Sequence, residues 1–338
     1  MKNSVFLILF LALNFSFGQI VKGKVVDQNN APLAGANIYF DGTTIATIAD
    51  ENGNFTLNFG SKTNSILAVS FIGYETQFLK SIDYNKELKI VLKEVINSLN
   101  EVVIKKDRFT RKEKLKLFRE QFLGTSAVAR KAIIENEDDL YFEYNETKNI
   151  LKAFSDKPIS IKNSALGYKV NYELVNFEVN FYKLSISSSD VVRSFYSGLS
   201  RFEDINLNPK ILQQREKCYR GSQMHFFRNL VNNIWDKHNF LLFKGQYQDN
   251  PNDYFTVTKV DESYKIEVTK QEMPLTTKSF VAEFNLLFDK KYQSKIIFET
   301  TTFYVDKYGI NTNIENIIFS GYIANQKVGD LVPANFGE

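Results

Sequence analysis

VKGKVVDQNNAPLAGANIYFDGTTIATIADENGNFTLNF, residues 21–59, decides how this chain is built. Val21, Val25 and Val26 favour extended backbone, and the polar run Asp27-Gln28-Asn29-Asn30 lets the chain reverse. Pro32 presets φ in the connection, and Gly35 permits a conformation or close approach that a Cβ would obstruct. Asn37, Tyr39 and Asp41 alternate with Ala36, Ile38 and Phe40, the period of a half-buried strand. Asp41-Gly42 and Asn52-Gly53 are hairpin signals, since both supply residues tolerant of positive φ. Phe55, Leu57 and Phe59 then form one apolar face opposite Asn54, Thr56 and Asn58. Further strands follow at regular spacing over 66–72, 74–79 and 88–92. The pattern predicts a small antiparallel β-sandwich.

The turns match a known order. Gly23-x-Val25-x-Asp27, Pro32-Leu33-x-Gly35-Ala36, Gly42, Asp50-x-x-Gly53-x-Phe55 and Gly73-Tyr74 together resemble the carboxypeptidase-regulatory-like domain over about residues 20–93. The resemblance implies a transthyretin-like (prealbumin-like) fold. Taken alone, these Gly, Pro and Asp residues supply turn chemistry, and none forms a cluster able to do chemistry.

The first eighteen residues concern address. Lys2 precedes a nearly unbroken apolar run over 5–13, then Asn14-Phe15-Ser16-Phe17-Gly18. This is the pattern of a secretory signal peptide, with cleavage expected after Gly18. The run is short for a membrane span, and no Cys follows it, so a lipid-anchored lipoprotein is not expected. The expected location is the periplasm or the outer-membrane or cell-surface region.

Composition is consistent with export. Thirty Phe and 17 Tyr supply core material, and the formal charge of +3 is too small to imply nucleic acid as a partner. The single cysteine, Cys218, leaves no intramolecular disulfide and no thiolate cluster. Stability must then come from packed cores.

The sandwich is expected over 19–95, and 96–124 is read as a linker with a basic amphipathic helix. Within it, Leu99-Asn100-Glu101-Val102-Val103-Ile104 is similar to the segment that follows this module in TonB-dependent outer-membrane receptors. The 234 residues after Ile104 are expected to be too few for such a receptor's plug and barrel. The stretch from Lys105 to Arg119 holds eight cationic and two anionic residues. Leu115, Phe118 and Phe122 recur there at helical spacing, predicting a helix to about Leu123. Lys105, Lys106, Arg108, Arg111 and Lys112 are candidates for contact with an anionic membrane surface; the alternative is a solvated helix whose apolar stripe packs on the following domain.

Residues 125–338 predict a β-dominated α+β domain, so the fold class is mainly β. Strands are expected over 140–144, 150–154, 166–174, 177–186, 254–260, 264–269, 280–288, 295–303 and 314–322. A single helix is expected over 211–235. Leu140-Tyr141-Phe142, Ile159-Ser160-Ile161 and Tyr219-Arg220-Gly221-Ser222 resemble the C-terminal region of exported Gram-negative proteins described as carboxypeptidase-like regulatory domain-containing. The resemblance implies a signal, a sandwich and a β-rich tail of unassigned role, and it carries over no activity.

Peptidase chemistry has no constellation to work with. The zinc carboxypeptidases that carry this module need a His-x-x-Glu pair and a distant His. His225 and His238 are the only histidines, and neither begins His-x-x-Glu. No Gly-x-Ser-x-Gly elbow, phosphate-binding Gly-rich loop or calcium loop occurs. On a single helix, Cys218 and His225 would lie about 10 Å apart along the axis, too far for proton transfer. No catalytic residue, metal ligand or cofactor is therefore expected.

Ser222, His225 and Arg228 remain as a possible ligand pocket for an anionic or carbohydrate group; the alternative is a helix with Met224 and Phe227 packed inward. The expected function is a non-catalytic exported envelope protein that binds an unknown protein or glycan. One alternative is a hydrolase using Asp138, Asp139, Glu143, Glu203 or Asp204, which form no recognisable pair. Another is a small outer-membrane barrel built from the C-terminal strands.

Overall fold

The computed structural model of the chain describes residues 19–60, 63–80, 82–95, 108–271 and 280–337. The expected signal peptide, the segment 99–104, Lys105 and Lys106 lie outside the described residues. The chain divides into two compact units. The first takes in Met1–Tyr39, Ile45–Lys62 and Leu67–Val95; the second takes in Phe40–Thr44, Thr63–Ile66 and Ile96–Glu338.

The first unit carries seven strands: β1 (Gln19–Val26), β2 (Asn37–Phe40), β3 (Ala46–Ile48), β4 (Asn54–Phe59), β5 (Leu67–Ser70), β6 (Gln77–Leu79) and β7 (Leu88–Val91). They form one sheet in the order β4-β1-β7 and another in the order β3-β2-β5-β6. Strand β4 buries Phe55, Leu57 and Phe59 and exposes the residues between, as its alternation demands. One expectation is corrected. Strand β1 pairs antiparallel with β4 but parallel with β7, so the sandwich is mixed. These two strands come from opposite ends of the module, and no hairpin fixes their relative direction.

The turns also depart from two-residue hairpins. Five residues separate β2 from β3, and five separate β3 from β4. Gly53 is left-handed at φ +77°, whereas Asn52 is not. Asp50 organises that turn by accepting the backbone N–H groups of Asn52 (2.9 Å) and Asn54 (2.7 Å).

The second unit begins with α1 (Arg111–Phe122), closed at its start by a capping box between Thr110 and Glu113. Its buried residues are Lys114, Leu117, Phe118 and Phe122, with Leu115 only partly covered. As expected of its apolar stripe, the helix packs on the following domain, in a core shared with a six-stranded sheet. That sheet comprises β8 (Ala132–Ile134), β9 (Leu140–Asn145), β10 (Ile150–Ser155), β11 (Ile159–Asn163), β12 (Tyr168–Phe181) and β13 (Val191–Asp204).

Strand β12 is one 14-residue strand where two were expected. Its pairing with β13 slips at Val175, which stands unpaired and 65% exposed. The bulge changes the parity of the inward face. Tyr168, Val170 and Tyr172 point into the core before it, and Phe177, Val179 and Phe181 after it.

The expected single helix over 211–235 is two helices, α2 (Pro209–Tyr219) and α3 (Gln223–Val231). Between them Gly221 sits at φ +80°, and Ser222 caps α3 by accepting the backbone N–H of His225 at 3.0 Å. Cys218 and His225 therefore belong to different helices. A glycine that can enter the left-handed region, followed by a capping serine, ends one helix and starts the next.

The remaining strands are β14 (Phe240–Lys244), β15 (Tyr247–Gln248), β16 (Phe255–Val260), β17 (Ser263–Val268), β18 (Ala282–Phe288), β19 (Tyr292–Phe298), β20 (Thr302–Asp306) and β21 (Ile317–Gly321). They split into a sheet β15-β14-β18-β19-β21 and a sheet β16-β17-β20. The expected strand over 295–303 breaks between β19 and β20, which lie in different sheets. Together with α3 these sheets enclose a second core rich in Phe, including Phe226, Phe227, Phe240, Phe284, Phe298 and Phe303. This corrects the barrel alternative. The C-terminal strands bury their apolar residues inward across separate sheets, whereas a membrane barrel turns an apolar band outward around one closed sheet.

Candidate functional site

The structure brings Ser222, His225 and Arg228 together on α3 and engages each within the fold. The Ser222 hydroxyl is the helix cap. His225 Nδ1 accepts the backbone N–H of Gly221 at 3.0 Å, and its ring lies among Tyr219, Phe240 and Phe288. Burial, reinforced by Arg220, lowers its pKa to about 4, so the imidazole is neutral at physiological pH. The Arg228 guanidinium donates to the carbonyls of Tyr308 (3.1 Å), Phe336 (2.9 Å) and Ala334 (2.6 Å). Ser222 and His225 thus fix the turn into α3, while Arg228 ties the helix to Ala334 and Phe336.

The carboxylates weighed for hydrolysis are dispersed. Glu203 pairs with Arg201, and Asp204 accepts from Arg215 at 2.7 Å. As neighbours on β13 they point to opposite faces. Asp139 is held below the usual range by Lys157 and Asn136, the opposite of what a general acid needs. Asp138 and Glu143 are exposed. Of the cationic candidates, Arg111 donates to the carbonyls of Leu140 (2.5 Å) and Glu137 (2.7 Å), while Arg108 and Lys112 stand exposed.

A concavity lies elsewhere, where α3 ends. The N–H of Ile234 closes on the carbonyl of Asn229 at 2.8 Å, and Asn233 turns left-handed at φ +53°. That stop swings Trp235 out of the helix. Its ring meets Phe226 edge-on at 6.0 Å and stacks parallel to Phe255 at 6.3 Å. The indole is thus fixed by the core and only partly covered.

Two adjoining lobes share Asn233, Trp235, Pro251 and Asn252. One, of about 510 Å³, is walled by Leu241, Leu242 and the polar run Gln248-Asp249-Asn250. The other, of about 390 Å³, is walled by Leu230, Val231, Phe255, Val257, Lys259 and Tyr264. Both volumes fall in the range of small-molecule sites, about 300–1,000 Å³.

The polar wall is stiff. Asn250 caps a short 3₁₀ turn over Pro251–Asp253 by accepting the N–H of Asn252 at 3.2 Å. Asp249 Oδ2 accepts the Tyr254 hydroxyl at 2.5 Å, and Oδ1 accepts the N–H of Asn250 at 2.9 Å. The Tyr254 bond, then the Asn250 N–H, holds the Asp249 carboxyl below its usual range, so it is ionised. By contrast, the carboxamides of Asn233, Gln248 and Asn252 make no hydrogen bond among the described residues and face solvent. Sequence reasoning missed this cleft. Its available signal was the chain's one Trp, two residues past an Asn-Asn helix stop and close to Gln248-Asp249-Asn250-Pro251-Asn252-Asp253.

Comparison with known proteins bears on the N-terminal module. Residues 21–104 match the family described as the CarboxypepD_reg-like domain. The TonB-dependent receptor SusC of Bacteroides thetaiotaomicron is 39% identical over 97 residues, which cover 28% of this chain and 9% of the receptor. A TonB-dependent receptor of Formosa agariphila is 29% identical over 104 residues, covering 29% of this chain and 10% of that one. The matches thus span about a tenth of the length of these curated relatives. A chain in the crystal structure of a type II cohesin–X-dockerin complex from Acetivibrio cellulolyticus is 23% identical. It covers 23% of this chain and 58% of that chain, with a TM-score of 0.20.

The N-terminal module is therefore a carboxypeptidase-regulatory-like domain, and SusC shares it.

Proposed function

We propose that this chain is an exported, non-catalytic binding protein of the cell envelope, and that the Trp235 cleft of its second unit holds the ligand. The observation that carries the reading is the cleft itself: a core-anchored indole beside carboxamides that no other side chain engages. Rigid aromatic and polar groups on a preformed wall recognise a ligand without a large ordering cost. Export is supported by the pattern of residues 2–18, and envelope residence by the module shared with TonB-dependent receptors. The finer location we assign is the periplasm or the outer-membrane region.

The single tryptophan makes the test direct, because emission excited selectively from tryptophan reports on residue 235 alone. Mature protein is titrated with envelope material separated into protein and glycan fractions, and each fraction is analysed before and after incubation. A saturable emission change with the fraction chemically unchanged is the expected result. Steady release of products would make the protein a hydrolase. Silence from every fraction would remove the cleft as its binding site.

A further inference from the structure

We propose that the ligand of the Trp235 cleft is a neutral carbohydrate chain, with one pyranose ring against the indole and its hydroxyls on the carboxamides of Asn233, Gln248 and Asn252. This deepens the binding reading above and rests on it.

A pyranose ring presents C–H groups on its faces and hydroxyls around its rim. The faces suit a flat apolar surface, and each hydroxyl both donates and accepts. Trp235 supplies the surface, held parallel to Phe255 so that its orientation is set before any ligand arrives. A carboxamide carries a donor and an acceptor side by side, which matches a pair of adjacent hydroxyls. Asn233, Gln248 and Asn252 offer three of these along the rim of the larger lobe, none engaged by another described residue.

Shape and charge narrow the class. Trp235 lines both lobes, so a chain longer than one ring can continue from one into the other. Asp249 is the sole acidic or basic residue lining the first lobe and Lys259 the sole one lining the second, so neither lobe gathers charge of one sign. Neither a polyanion nor a polycation finds a matching surface there.

An extended peptide fits less well. Strand addition requires the free edge of a sheet. Although β16 is an edge strand, the residues it gives to this lobe, Phe255, Val257 and Lys259, alternate along it, so the lobe lies over the sheet face rather than along that edge. The edge strand at the other lobe, β15, is two residues long.

The test uses mature full-length protein and short neutral oligosaccharides of α- and β-linked glucose, mannose, xylose and N-acetylglucosamine, with extended peptides in parallel arms. At least one oligosaccharide is expected to shift Trp235 emission saturably, with calorimetry giving the same affinity. Gln248→Ala and Asn252→Ala should each weaken that affinity by up to about tenfold with unchanged circular dichroism, as expected for removing a ligand hydrogen bond. Both residues are exposed, so these variants fold. Trp235→Phe, followed by calorimetry, should weaken it as well.

Saturable binding of peptides without any oligosaccharide response would overturn the carbohydrate assignment and leave the binding reading standing. Silence from both arms would sink the two together. Oligosaccharide binding untouched by either carboxamide variant would also overturn the assignment, because the sugar would then sit elsewhere.

Discussion

At the residue scale, Gly53 and His225 show how one position can answer to the backbone or to burial. Gly53 sits at φ +77°, and a Cβ there would come within 2.4 Å of the Val25 carbonyl oxygen. Gly53→Val combines a φ that β-branched residues resist with a clash against backbone, and should cost about 2–4 kcal/mol. Thermal unfolding of the full chain measures it, and a parental melting temperature would refute the turn assignment. His225 is a matter of pH. Its native pKa of about 4 lies below the ordinary value of 6.5. Between those values the unfolded chain binds a proton at residue 225 that the native chain does not, so stability falls as pH drops through the window, by up to about 3 kcal/mol. Asp41, pushed up to about 6 chiefly by burial, works in the opposite direction over the same range. A variant comparison therefore isolates the histidine. Urea midpoints at about pH 7 and about pH 4.5 should show a smaller acid loss for His225→Gln than for the parent. Equal losses would mean that the imidazole is not held neutral.

At the element scale, the bulge in β12 and the break between α2 and α3 changed the sequence reading most. Apolar residues fall on even positions from Tyr168 to Leu174 and on odd positions from Phe177 to Phe181. The parity change was visible in the sequence, but it is equally compatible with two strands. Only the partner β13, running unbroken past Val175, makes it one. Deleting Val175 removes the extra residue and brings the two apolar sets into one alternation, so Phe177, Val179 and Phe181 should stay in the core with the bulge gone. The expected outcome is retained cooperative unfolding of the second unit with a parental near-UV circular dichroism signal. A deletion variant that loses that signal or its cooperative melting would show that the bulge itself is required. The helix break was likewise written in Arg220-Gly221-Ser222, but apolar residues at helical spacing on both sides masked it.

At the scale of the whole molecule, a β-sandwich module is joined to a larger β-rich unit with two aromatic cores, and we propose that the chain is exported. The address is the most exposed part of that claim. Residues 2–18 are expected to be removed, and mature protein recovered outside the cytoplasm should begin at or near Gln19. Cell fractionation with N-terminal sequencing checks this, and a cytoplasmic product starting at Met1 would contradict it. Alongside the expected export signal, the module's kinship to TonB-dependent receptors supports the proposed envelope reading, while the Trp235 cleft is what gives the second unit a proposed task.

Local rules were enough to place the strands of the first unit, because alternation and turn residues act over a few positions, and β4 with its Asp50–Gly53 turn follows them closely. The helical stripe of Phe118 and Phe122 was legible for the same reason. Tertiary structure alone decided the rest. The direction of β7 against β1, the transfer from β19 to β20, and the role of Arg228 all depend on partners distant in sequence. The cleft is the clearest case. Trp235, Gln248, Asn252 and Tyr264 carry no motif and no fixed spacing, and they converge only because Asn233 ends α3 beside strands from two sheets. Periodicity records which face a residue turns inward, whereas a concave site is made by surfaces that meet after the chain has folded.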